Sequence, residues 1–163
     1  MRKPFIAGNW KMYKSGQEAI DLAVGIKEQV LNLLDKVEVG IFPSFTDLFS
    51  INEVVKNTAI KLGSQNICWE KQGAYTGEIS IDTIKALGCG YSLIGHSERR
   101  KYFQETNSLV NQKIKLALSE EVYPVVCIGE TLEEREASKT LDVISEQVHG
   151  ALDGITDKDI ETL

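Results

Sequence analysis

Five short apolar runs, Phe5 to Ala7, Val37 to Phe42, Ile60 to Leu62, Tyr91 to Ile94 and Tyr123 to Ile128, are separated by stretches in which apolar residues recur with helical period. This alternation restricts the fold more than any other feature. Strands joined through helices run parallel, so the pattern predicts repeated βα units in the α/β class rather than hairpins. The runs are continuous rather than alternating, which predicts strands buried on both faces. Ala19, Ala23, Ile26, Val30 and Leu33 form a helical stripe, opened by Ser15 with Glu18 three residues later, a pairing that predicts a reciprocal capping box. Leu48, Ile51 and Val55 repeat the spacing, as do Val110, Ile114 and Ala117, then Leu141, Ile144, Val148 and Ala151, and a shorter helix is expected after Ser80. No Pro/Gly/Ser linker divides the chain, so residues 1–163 read as one domain or part of one. Periodicity alone leaves a closed barrel and an open doubly wound sheet both standing.

Charge removes several functions. A formal net charge of -6 disfavours a sequence-independent grip on nucleic acid, which needs clustered basic groups against phosphates. Cys68, Cys89 and Cys127 show no CxxC spacing and no matching histidine pair, so neither a zinc site nor a disulfide framework is expected. No metal and no cofactor are predicted. Reduced thiols, a first strand too close to the N-terminus for a signal peptide and no apolar run of membrane-spanning length predict a cytoplasmic protein that does not engage a membrane.

Polar residues and glycines gather just after the strands: Asn9 and Lys11, Gln65 and Asn66, Gly95 to Glu98, Gly129 and Glu130. In parallel α/β folds this edge is where sites are built. Gly95-His96-Ser97-Glu98-Arg99-Arg100 places an imidazole, a carboxylate and guanidinium groups together, and a histidine there can donate to a developing oxyanion. Lys11 can direct an ammonium at an anionic substrate, since lysine acts on phosphate as a point charge. A GxGxxG turn is absent after the first strand, which argues against a dinucleotide-binding domain. His149 reads as a solvated helix residue, Glu133-Glu134-Arg135-Glu136 as a charged loop or helix start, and Gln65, Glu130 and Arg135 as scaffold hydrogen bonds and ion pairs.

Phe5-Ile6-Ala7-Gly8-Asn9-Trp10-Lys11-Met12, Gln65-Asn66, Gly73-Ala74-Tyr75-Thr76-Gly77-Glu78-Ile79-Ser80, Gly95 to Arg100 and Cys127-Ile128-Gly129-Glu130 follow the order of motifs that resembles the triosephosphate isomerase family. The resemblance spans the chain from its first strand to its fifth βα loop. It implies an N-terminal part of one TIM (β/α)8 barrel domain, about five βα units without strands six to eight, because such a barrel takes about 250 residues. It also implies interconversion of dihydroxyacetone phosphate and D-glyceraldehyde 3-phosphate through an enediolate, in glycolysis and gluconeogenesis.

By motif, His96 would be the electrophile, Asn9 and Lys11 the substrate-binding residues with Lys11 also catalytic, and Ser97, Glu98 and Cys127 supporting residues. Thr76 and Gln65 would belong to a homodimer interface, Thr76 reaching a neighbour's Asn9 and Lys11. The family's general base lies in a sixth-strand motif resembling Tyr-Glu-Pro-Val-Trp. No such motif occurs in residues 1–163, and Glu161 lacks its context. The isolated chain is therefore expected to be inactive. The alternative expectation is an inactive partial barrel that folds or associates with itself through unpaired strand edges.

Overall fold

The computed structural model describes residues 3–161. Five strands, β1 (Phe5–Asn9), β2 (Glu38–Phe42), β3 (Lys61–Ser64), β4 (Tyr91–Ile94) and β5 (Tyr123–Val126), form one sheet in the order β1-β2-β3-β4-β5, every pair parallel. The order decides between the two architectures left open by sequence. A doubly wound sheet reverses direction at a switch point, whereas here each crossover steps the same way. The sheet curls into a partial TIM barrel with its helices on the outer side.

Those helices are α1 (Gln17–Val30), α2 (Leu48–Val55), α3 (Ile81–Ala86), α4 (Ser97–Phe103), α5 (Asn107–Ser119), α6 (Leu132–Glu136), α7 (Thr140–Leu152) and α8 (Asp157–Ile160). Ile41, Leu62 and Ile94 from the strands join Leu48, Ile51, Val55, Ile84, Val110, Ile114 and Ala117 from the helices in one buried cluster. The helical spacing thus marks the packed faces. Ser80 caps α3 by accepting from the Thr83 N–H, as its sequence position predicts. On the concave side the register sets Tyr91 beside Tyr123, their rings stacked 5.0 Å apart, and the curl of the sheet brings Phe5 of β1 across to stack on Tyr91 at 5.4 Å. Gly40 and Gly63 leave the room that the rings of Phe5 and Phe42 occupy.

Several expectations change. The capping box at Ser15 and Glu18 does not form: Gly16, at φ +54°, precedes α1, and its N–H donates to Asp47 Oδ1 at 2.8 Å. A buried carboxylate held by Ser44 outcompetes the local cap. Burial on both faces fails for the outer strands. β1 leaves Ile6 59% exposed and β5 leaves Tyr123 48% exposed, since each pairs on one side only. The fifth strand stops at Val126, short of Ile128. Leu33 falls in a 3-10 turn and is exposed. Leu141 is exposed too, because α7 is held to α5 at its far end, where Asn111 Nδ2 donates to the carbonyls of Ala151 and Asp153.

Candidate functional site

Asn9 is the last residue of β1, and its Oδ1 accepts the Lys11 N–H at 2.9 Å. Lys11 itself has φ +53°, a left-handed conformation costly for a side-chain-bearing residue. Gln65, directly after β3, donates from Nε2 to the Lys11 carbonyl at 2.8 Å and to the Phe42 carbonyl at 2.9 Å. The turn after β1 is thereby held from both sides by amide side chains. Lys11 Nζ then reaches Glu98 Oε1 at 2.7 Å, spanning 87 positions of sequence.

His96 is the N-cap of α4, and its Nδ1 accepts the Glu98 N–H at 3.2 Å. An acceptor nitrogen carries no proton, so the ring N–H sits on Nε2, available to donate. The 3.6 Å approach of Glu98 Oε2 to the same Nδ1 is accordingly proximity without an ion pair. Gly95 turns the chain at φ +78°, and a Cβ there would meet Val110 Cγ2 at 3.0 Å, Arg100 Nη2 at 3.1 Å and the Cys127 carbonyl at 3.2 Å. Only glycine fits both the angle and the space.

Electrostatics at this edge are dominated by one pair. The hydrogen bond and charge of Glu98 raise the Lys11 pKa above its ordinary value, and the same bond to Lys11 holds Glu98 below the usual carboxylate range. A cavity of about 220 Å³ lies beside it, lined by Gly95, His96, Ser97, Arg100, Cys127 and Gly129. A much larger opening of about 1080 Å³ runs from the strand starts at Phe5, Tyr91 and Tyr123 along β5 to Ile128 and is flanked by Val148 and Leu152 of α7; His96 does not line it. Cys127 is half-buried, its N–H donating to the Ile94 carbonyl at 2.8 Å, and burial raises its thiol pKa. Cys89 is pushed by burial up to about 12.

The structure brings Asn9, Lys11, Gln65, His96 and Glu98 into one connected network, with Ser97 and Cys127 lining the adjoining cavity. Thr76 stands apart on the exposed loop between β3 and α3, which closes on itself through the Trp69–Tyr75 edge contact and the Cys68 N–H to the Ile79 carbonyl. Glu130 pairs with Arg135 at 3.2 Å, and His149 is exposed on α7 with Nδ1 against the Ser145 carbonyl. The first is the scaffold ion pair expected of Glu130 and Arg135, and the second the solvated helix position expected of His149.

Sequence reading overlooked a second polar network behind the site. Lys113, fully buried on α5, donates to Glu105 Oε1 at 2.8 Å and to Asn66 Oδ1 at 2.7 Å, while Arg99 Nε donates to Glu105 Oε2 at 2.7 Å. The signal was present: Lys113 interrupts the stripe of Val110, Ile114 and Ala117 on a helix face bound for the core.

Among known proteins, a family profile described as triosephosphate isomerase matches residues 4–163. The chain is 52% identical over 155 residues to the triosephosphate isomerase of Alkaliphilus oremlandii, covering 95% of this chain and 62% of that one. It is 49% identical over 162 residues to that of Caldanaerobacter subterraneus subsp. tengcongensis, covering 98% and 64%. The crystal structure of triosephosphate isomerase from Bartonella henselae superposes with a TM-score of 0.84 at 36% identity, over 97% of this chain and 65% of that one. The chain thus spans less than two thirds of these relatives' length.

Proposed function

The chain belongs to the triosephosphate isomerase family, and on that footing we propose that it supplies the first five βα units of an enzyme interconverting dihydroxyacetone phosphate and D-glyceraldehyde 3-phosphate. The observation that carries the proposal is the convergence of Asn9, Lys11 and His96 on one strand edge, with the ring proton left on Nε2 by the Glu98 N–H. A neutral imidazole donating to the substrate carbonyl stabilises charge that develops as the neighbouring carbon loses its proton, a division of labour for which this family is itself a standing example. Lys11 offsets the phosphate charge and Asn9 sets the turn that presents it.

Glu98 is not the base in this reading. Its carboxylate is occupied by Lys11 and held below the usual range, the opposite of what proton abstraction near neutrality asks. In this reading the base belongs to the sixth-strand motif, which these 163 residues do not contain, and the chain alone is expected not to turn substrate over. A cytoplasmic homodimer completes the proposal. Met12 and Tyr13 after β1, Tyr75 in the loop after β3, and Tyr102 and Phe103 on α4 are large exposed apolar side chains. Such exposure suits a covered surface.

The test is isomerase turnover by the chain alone, and by the chain continued with the C-terminal segment of the Alkaliphilus oremlandii enzyme that lies beyond the matched region, each with a His96→Gln version. Turnover is expected only in the continued wild-type chain, reduced about 10²- to 10³-fold by His96→Gln. Turnover by the chain alone that His96→Gln abolishes would place a base within these residues and overturn the reading. A second reading, an inactive partial barrel that associates with itself, draws support from the free edges of β1 and β5 and the open concave side. Concentration-dependent mass in size exclusion without turnover in either form would favour it.

A further inference from the structure

We propose that Arg100 is a docking donor whose Nη2 N–H receives an oxygen, backbone carbonyl or carboxylate, from a strand that adds in parallel to the free edge of β5. The inference rests on the reading above, in which more chain completes the barrel. Arg100 is fixed at two points: Nε donates to the Gly95 carbonyl at 2.8 Å and Nη1 to Asn107 Oδ1 at 2.6 Å. Its Nη2 is buried and has no partner among the described residues. Leaving a buried charged donor unpaired forfeits its hydration without return, so folded proteins supply such groups with acceptors.

The position of Nη2 indicates where that acceptor comes from. Arg100 lines the cavity of about 220 Å³ with Gly95, Cys127 and Gly129, the last two lying just past the end of β5. Gly95 keeps the corner open, since a side chain there would crowd both Nη2 and the Cys127 carbonyl. Among the described residues β5 is paired with β4 alone, leaving its outer edge of backbone groups without a strand neighbour. Glu105, the carboxylate whose charge reaches the guanidinium, is already engaged by Arg99 and Lys113, so neither of its oxygens is left for Nη2. Burial lowers the Arg100 pKa, the direction expected of a cation short of a counter-charge. An added oxygen acceptor satisfies that donor.

The experiment uses the chain continued with the same Alkaliphilus oremlandii segment. In its wild-type crystal structure an oxygen of the strand added to β5 is expected within about 3.2 Å of Nη2. A water alone there, or an Nη2 still unpaired, overturns the proposal. In solution, Arg100→Lys should speed amide exchange about tenfold in the added strand and in β5, while Asn107→Ala, which removes only the Nη1 partner, should leave that edge within about twofold. Equal effects of the two variants, or exchange unchanged at that edge, also overturn it. If Arg100→Lys does not fold, the wild-type structure decides. Turnover by the continued chain separates the two readings: turnover without a strand oxygen at Nη2 removes the docking role and leaves the isomerase, and an oxygen at Nη2 without turnover does the reverse.

Discussion

Two lysine–glutamate pairs in this chain have nearly the same geometry and opposite physics. Lys11 and Glu98 meet at 2.7 Å with side chains 46% and 45% exposed; Lys113 and Glu105 meet at 2.8 Å with both 1% exposed. At the exposed pair water keeps desolvation small, so the hydrogen bond to Glu98, followed by its charge, dominates and the Lys11 pKa rises. In the interior the cost of desolvation outweighs the attraction of Glu105, and the Lys113 pKa falls. The outer pair leaves a cation available at the site edge. The inner one ties β3's trailing loop, through Asn66, to α4, through Glu105 and Arg99.

The largest separation of the two should come from truncating the inner lysine. Lys113→Met leaves Glu105 buried with Arg99 as its one remaining ion-pair partner among the described residues, and a loss of about 3–5 kcal/mol in denaturant unfolding is expected. A loss below about 1 kcal/mol would show that the buried pair is dispensable. Turnover of the continued enzyme should respond next: Lys11→Met is expected to lower it about 10²- to 10³-fold, with the denaturant midpoint of unfolding left nearly where it was. Stability falling while turnover holds would invert the roles assigned to the two pairs.

A smaller effect sharpens the contrast further. The double change Lys113→Met with Glu105→Leu should cost less than the sum of the single changes, because neither leaves an unpaired charge facing the other; strict additivity in the double-mutant cycle would deny the coupling. The smallest effects are the titrations. Lys11, raised in the fold, adds stability fully present below the unfolded lysine pKa and lost as pH rises through its folded value. Lys113, lowered in the fold, does the reverse: the fold gains stability as pH rises from its folded value towards that of the unfolded chain. Side-chain NMR titration of the two ammonium groups checks the signs, and shifts in the same direction would refute the comparison. Glu98 should keep its charge below the ordinary carboxylate pKa, its stabilising share being lost only as pH falls through that depressed value.

The sequence itself determined the class, the five strands, the helix faces through Leu48, Ile51, Val55, Val110 and Ile114, and the residues gathered at the strand ends. These follow from period and from punctuation by glycine and polar residues, which are local properties of the chain. Tertiary structure alone decided that Gly16 rather than Ser15 precedes α1, since Asp47 lies 31 positions away. It also decided that Lys11 finds Glu98, that Lys113 turns inward to Glu105 and Asn66, and that the strand order never reverses. Those outcomes depend on which distant groups the curl of the sheet brings within hydrogen-bond reach. Spacing along the chain carries no measure of that distance.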